Sequence, residues 1–254
     1  MKTVILAGGY GTRLSEETIV KPKPMVEIGG RPIIWHIMTH YSKFGFNDFI
    51  ILLGYKGYII KEYFVNYFLH NSDFIVDLDN NNVEILNKQN LKWKVTLVDT
   101  GLNTMTGGRV KKAQKYIDED TFMLTYGDGL IDLDINELVN FHKSHGKAMT
   151  MTTSQPDGRF GAVELNGNQV TQFIEKPKGD NSWINAGYFV CNKKVFNFIK
   201  NDENEVLEKS PLESLANQNE LFTYKHNGFW MPMDTLRDKI KLEDMWKKNE
   251  APWK

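Results

Sequence analysis

Thr3-Val4-Ile5-Leu6-Ala7 runs straight into Gly8-Gly9-Tyr10-Gly11-Thr12-Arg13-Leu14, and Lys21-Pro22-Lys23-Pro24-Met25 follows. The short apolar run reads as a buried strand, and the glycines as the loop it opens into. Glycine beside a strand end lets the backbone approach a ligand, because no Cβ stands in the way. Successive free N–H groups in such a loop form a concavity for anions. The glycines alone fit an ordinary βα turn equally well, but Arg13, Lys21 and Lys23 add the charge a polyphosphate needs. The loop is not a Walker A loop, because Gly8 to Arg13 lacks the Gly-Lys-Ser/Thr ending. Nor is it the dinucleotide fingerprint, because Leu14 stands where the third glycine belongs.

Outward from this stretch, strand-length apolar runs alternate with helix-period segments. Ile33, Ile34, Ile37, Met38, Tyr41 and Phe44 mark one face of a helix that Gly45 is placed to end. Phe49-Ile50-Ile51-Leu52-Leu53 is a buried parallel strand. A second helix carries Ile59, Ile60, Tyr63, Phe64, Tyr67 and Phe68 on its inner face. Residues 72–94 leave the sheet as an excursion around an Asn80-Asn81-Asn82 turn, and 95–98 is again a strand. A loop over 100–108 leads to a basic helix near 109–117, then to the strand 121–125, a helix over 134–145 and a strand over 148–153. The second half is richer in strands, with a hairpin over 161–174 and a strand over 185–191. Ser210-Pro211-Leu212-Glu213 has the spacing of a capping box, and a last helix spans 236–248. No repeat or flexible linker interrupts this order. The expectation is one α/β domain over 1–254, with a mixed, mostly parallel Rossmann-like sheet flanked by helices. A first half over about 1–130 carries the glycine loop, and the second half over about 131–254 is β-rich.

Composition narrows the function. A chain of 254 residues with 41% hydrophobic and 25% charged residues has the make-up of an ordinary globular protein. Its 31 basic and 32 acidic residues give a net charge of −1, so no global field draws nucleic acid or an anionic membrane. The apolar run after Met1-Lys2 ends at Gly8, too short for a signal peptide, and a cytoplasmic protein is expected. Cys191 is the sole cysteine, which excludes an intramolecular disulfide and a cysteine zinc cluster.

Two acidic positions stand out. Asp128, in Tyr126-Gly127-Asp128-Gly129, follows a buried strand at the end of the sheet where open α/β folds bind ligands. Asp234 precedes the final helix. Two carboxylates plus substrate phosphates suit Mg²⁺. The competing readings are an Asp-Gly turn for the first and a helix cap for the second. Lys176, in Phe173-Ile174-Glu175-Lys176-Pro177, is either a phosphate ligand or a solvated loop lysine. His36, His40, His142 and His145 lack the third ligand a zinc site needs and read as structural.

Together these motifs resemble the sugar-1-phosphate nucleotidylyltransferase family. The likeness rests on 6–14, 21–25, 126–129 and 173–177 with Asn185-Ala186-Gly187-Tyr188, in register along essentially the whole chain. Segments 15–20, 98–101, 105–109 and 229–239 are most similar to the members that carry a cytidylyl group from CTP to glucose 1-phosphate. The resemblance implies that Leu6, Ala7, Gly8, Gly9, Tyr10, Gly11, Thr12 and Gly127 cradle the nucleotide. Arg13 would clamp the leaving pyrophosphate, Lys23 would lie near the α-phosphate, and Thr104 and Arg109 would face the cytosine. Asp128 and Asp234 would share Mg²⁺, while Lys176, Glu175, Asn185 and Gly161 would hold the sugar phosphate. It further implies a homo-oligomer whose product feeds deoxysugar and lipopolysaccharide O-antigen synthesis. The rivals are a relative using another nucleotide such as dTTP or another sugar phosphate, a non-catalytic sensor of nucleotide sugar, and a dinucleotide-binding oxidoreductase.

Overall fold

β1 (Lys2–Ala7) pairs in parallel with β4 (Asp48–Leu53) on one side and β8 (Thr121–Tyr126) on the other. The computed structural model describes residues 1–86, 91–156, 162–175 and 182–254. Between β1 and β4 lie α1 (Ser15–Thr18), the short pair β2 (Glu27–Ile28) and β3 (Arg31–Pro32), and α2 (Ile33–Lys43). α3 (Gly57–Val65), α4 (Tyr67–Asn71), the hairpin β5 (Phe74–Asp77) and β6 (Asn82–Ile85), and β7 (Lys94–Asp99) follow. α5 (Thr106–Ala113) leads into β8, and then come β9 (Gly129–Ile131), α6 (Ile135–His145) and β10 (Met149–Ser154). The remaining elements are β11 (Ala162–Asn166), β12 (Gln169–Ile174), β13 (Ile184–Asn192), α7 (Ser210–Asn217), β14 (Leu221–His226), β15 (Trp230–Pro232) and α8 (Leu236–Lys247).

Seven strands form one sheet in the order β14-β10-β13-β8-β1-β4-β7. Only β13 runs against its two neighbours, and every other pairing in this sheet is parallel. Helices cover both faces, so the inner strands are apolar on both. Side chains alternate across a strand, and β1 shows the result: Ile5 and Ala7 enter one core, Val4 and Leu6 the other. The first core takes in Ile33, Ile37 and Tyr41 of α2 and Leu242 of α8, and the second Val110 and Ala113 of α5.

Three expectations need correction. The basic helix begins at Thr106 rather than at Arg109, which brings Gly107 and Gly108 inside it. Phe68 is half exposed rather than inward, because the helix breaks at Asn66 between α3 and α4 and the inner face shifts. Ser210 does not cap: Lys209 holds the N-cap position of α7 without a side-chain cap bond, and Ser210 already lies in the helix. The capping box sits instead at α8, where Thr235 accepts from the Asp238 backbone and the Asp238 carboxylate accepts from Thr235.

Candidate active site

A pocket of about 380 Å³ opens at the carboxyl ends of β1 and β8. Its floor and one side are residues 6–13, the opposite side is 102–106 with Arg109, and Lys23, Gly127 and Asp128 close it. All residues that the family resemblance assigned to the nucleotide are therefore placed around this one pocket. Tyr10 spans the opening, its hydroxyl donating to the Asn103 side chain at 2.8 Å and its ring lying 5.2 Å from that of Tyr55. Lys21 stands apart, paired with Glu27 at 2.8 Å and not lining the pocket.

Lys23 is the centre of the polar cluster. Its Nζ donates to Asp128 Oδ2 at 2.6 Å and to Asp234 Oδ1 at 2.7 Å. Arg13 Nη1 reaches the second oxygen of Asp234 at 2.9 Å while most of its side chain stays in solvent. Burial alone would lower the Lys23 pKa, but the two carboxylates outweigh it and the ammonium is held above its ordinary value. The sheet and a two-strand ribbon bring these distant residues together. β8 delivers Asp128, β9 pairs antiparallel with β15 through Gly129 opposite Pro232, and the Met233 N–H donates to the Asp128 carbonyl at 2.8 Å. Asp234 is then next in line. Thr235 takes over the helix cap, which leaves the Asp234 side chain for the cluster.

Two carboxylate oxygens converging on one ammonium are placed to share one cation. Oxygen ligands suit a hard divalent ion, and nucleotidyl transferases typically use a divalent metal. Among the described residues no group of three or more His, Cys, Asp or Glu gathers as a metal site. A metal at the aspartate pair would thus complete its shell with substrate phosphate and water.

Arg109 is buried to 4% exposure and holds five oxygens. Nη1 donates to the carbonyls of Leu53 (2.9 Å) and Gly101 (2.8 Å) and to Thr100 Oγ1 (2.6 Å), and Nη2 to the carbonyls of Gly8 and Leu102 (both 3.1 Å). It thereby ties the glycine loop, the end of β4 and the 100–102 loop into one wall. Burial lowers its pKa. The guanidinium also explains two glycines. A Cβ on Gly8 would collide with it, and one on Gly54 would lie 2.5 Å from both Nη1 and the Gly8 carbonyl oxygen. Thr104, also buried, donates to the Thr100 carbonyl at 2.6 Å.

Among the residues that the resemblance assigns to the sugar phosphate, the Asn185 amide N–H donates to the Tyr126 hydroxyl at 3.2 Å, and its oxygen accepts from the Gly187 N–H at 2.8 Å. Glu175 lies exposed just after β12. Gly161 and Lys176 fall outside the described residues.

A model of the nucleotidyl transferase family matches residues 2–243. The chain belongs to the nucleotidyl transferase family. As a nucleotidyl transferase it is 58% identical to the glucose-1-phosphate cytidylyltransferase of Salmonella typhimurium, over all of this chain and 99% of that one. A probable glucose-1-phosphate cytidylyltransferase of Bacillus subtilis is 42% identical over the same extents. The fold matches the crystal structure of a putative glucose-1-phosphate thymidylyltransferase from Bacillus anthracis with a TM-score of 0.70, covering 96% of this chain and 94% of that one. At 19% identity that likeness concerns the fold alone.

The four histidines that the sequence reads as structural bond within the fold of this nucleotidyl transferase. His36 and His40 are buried in α2 and bond the Ile28 and Leu133 carbonyls, both at 2.8 Å. Burial pushes the His40 pKa down to about 4. His142 and His145 converge on Thr150 Oγ1 at 2.9 and 2.7 Å. Cys191 is buried in β13, and burial raises its thiol pKa. No helix among the described residues is long and apolar enough to cross a membrane.

Sequence reading missed Glu208 and Tyr126. Glu208 accepts from the Tyr126 hydroxyl at 2.5 Å and from Thr106 Oγ1 at 2.6 Å. Tyr126 sits in a motif already singled out, and Glu208 lies in an acidic stretch with Asp202, Glu203 and Glu205 that carries no motif.

Proposed function

We propose that this chain transfers a cytidylyl group from CTP to glucose 1-phosphate, giving CDP-glucose and pyrophosphate. The observation that carries the reading is the convergence of Lys23, Arg13, Asp128 and Asp234 at the mouth of the glycine-loop pocket. Full-length similarity to two proteins named for this reaction supports the choice of substrates.

Charge then dictates the chemistry. A phosphate monoester has its second pKa near 6, so the sugar phosphate is already largely dianionic at neutral pH and needs no general base. Its oxygen attacks the α-phosphorus in line, and pyrophosphate leaves from the opposite side. Two anions must meet, so the protein's part is positioning and neutralisation. Lys23 lies near the α-phosphate, Arg13 is exposed enough to follow the departing pyrophosphate, and the N–H groups of 8–11 cradle the phosphates. Arg109 and Thr104 shape the wall at the cytosine. Asp128 and Asp234 would hold Mg²⁺, which supplies Lewis-acid charge neutralisation when bound. Lys176 with Gly161, Glu175 and Asn185 would receive the glucose 1-phosphate, and the enzyme would act as a homo-oligomer in the cytoplasm.

Pyrophosphate release is the test, with Mg²⁺, glucose 1-phosphate and each nucleoside triphosphate supplied singly. Release with CTP alone is expected. Release with dTTP or another nucleotide instead would overturn the cytosine assignment and keep the transfer. CTP binding without release would point to a sensor. In Lys176→Ala, KM for glucose 1-phosphate should rise more than KM for CTP. The reverse would place Lys176 elsewhere.

A further inference from the structure

The stretch 202–208 packs on the start of α5, where the Met105 N–H donates to the Glu203 carbonyl at 2.7 Å and the Gly108 N–H to the Glu205 carbonyl at 3.1 Å. This packing brings Glu208 between Thr106 and Tyr126, both of which line the pocket. Thr106 Oγ1 accepts from the Leu207 N–H at 2.9 Å and donates to Glu208 Oε2 at 2.6 Å. The other carboxylate oxygen meets the Tyr126 hydroxyl at 2.5 Å.

An ionised carboxylate only accepts. The Tyr126 proton is therefore committed to Glu208, and the phenol oxygen faces Asn185 with lone pairs alone. Asn185 must then present its amide nitrogen to Tyr126. Its carbonyl oxygen is held from the other end by the Gly187 N–H. The flipped amide would set oxygen against an oxygen without a proton, and N–H against N–H. The ring of Tyr126 is itself fixed, packing edge-on against Phe189 with centroids 5.8 Å apart. Asn185 is left with one amide N–H and one lone pair in a fixed direction for a ligand.

We propose that Glu208 is a positioning residue for the sugar phosphate: anchored by Thr106, its carboxylate sets the direction of the Tyr126–Asn185 hydrogen bond and so the face that Asn185 offers to the sugar hydroxyls. This rests on the functional reading above only in naming the sugar as the ligand at Asn185. Glutamine at 208 keeps the size but can donate to Tyr126, which frees the phenol proton to point at Asn185 and leaves the Gly187 N–H alone to hold the amide.

In the full-length protein, Glu208→Gln should raise KM for glucose 1-phosphate about three- to tenfold, in line with one lost hydrogen bond. KM for CTP, kcat and Tm should change little. Tyr126→Phe should do the same, and the double variant should be no worse than the poorer single one, because both act through one relay. An unchanged KM for the sugar phosphate, additive losses, or equal rises in both KM values with a fallen Tm would overturn the proposal. Absence of turnover in the unsubstituted protein would instead count against the functional reading. A second readout is independent of turnover. The Asn185 side-chain amide NMR signals, assigned by their loss in Asn185→Ser, should shift and broaden in Glu208→Gln. Unaltered signals would refute the relay.

Discussion

Two buried cations face the same pocket and are used in opposite ways. Arg109 is surrounded by neutral oxygens, four carbonyls and a hydroxyl, and fixes three segments of the wall. Lys23 is met by two carboxylates, which a third group, Arg13, also helps to balance. A planar fork of donors suits the first task, and a compact point charge the second. Arg109 thus spends its hydrogen bonds on shape and leaves its charge unpaired at short range. The Lys23 cluster keeps its charges paired, and on the proposed function they would be exchanged for those of a metal and a phosphate. Loss of Arg109 should therefore be felt in stability, and loss of the Lys23 cluster in rate.

The largest effect should come from the Lys23 cluster. Asp128→Ala or Asp234→Ala should lower Mg²⁺-dependent pyrophosphate release about 100-fold or more, as expected for removing a group that acts on the developing charge. A rate close to that of the unsubstituted protein in either variant would break the assignment. Arg109→Lys comes next, because an ammonium cannot reach five oxygens spread over three segments. A loss of about 2–3 kcal/mol in urea unfolding is expected from the missing charge-assisted bonds. If Arg109→Lys cost rate without stability, the contrast between the two cations would fail. Gly54→Ala sharpens the same point, since the added methyl would press on both the guanidinium and the Gly8 carbonyl. About 1–3 kcal/mol should be lost, with a raised KM for CTP.

The smallest effect on activity concerns the histidines outside the pocket. His40 is held neutral in the fold, with its pKa pushed down to about 4 by burial, against an unfolded value near 6.5. The unfolded chain therefore binds the proton first on acidification. Stability from this site is full above pH 6.5 or so and drains away as pH falls toward about 4. His40→Gln can still donate to the Leu133 carbonyl, and its urea midpoint should fall less between pH 7 and pH 4.5. An equal fall in both proteins would assign the acid sensitivity elsewhere, His142 being the next group pushed down to about 4.

Most of the fold was legible because the strands are buried on both faces. Runs such as Phe49-Ile50-Ile51-Leu52-Leu53 leave little else to be. Positions whose role depends on a distant partner were harder. Ser210 fails as a capping residue because the helix at 210 is entered with Lys209 in an irregular conformation, ψ −119°, which sequence spacing does not reveal. β9 and β15 are three residues each and pair across a hundred positions, too short for any periodic signal. In the site, the glycine loop, Lys23 and the two aspartates could be read as types of residue, but the contact of Lys23 with both carboxylates could not. Arg109 was singled out as a pocket residue, yet its five oxygens come mostly from backbone, which leaves no mark in a sequence. Glu208 escaped for a similar reason. Its meaning lies in Tyr126, 82 positions away.

The β9–β15 ribbon also governs when the protein can first act. Lys23 leaves the ribosome 211 residues ahead of Asp234. At about 5–20 residues per second, that is a delay of roughly 10–40 s. Throughout it, a growing chain holds the glycine loop without the second aspartate. The full set of charges around Lys23 therefore cannot assemble until Asp234 has been made.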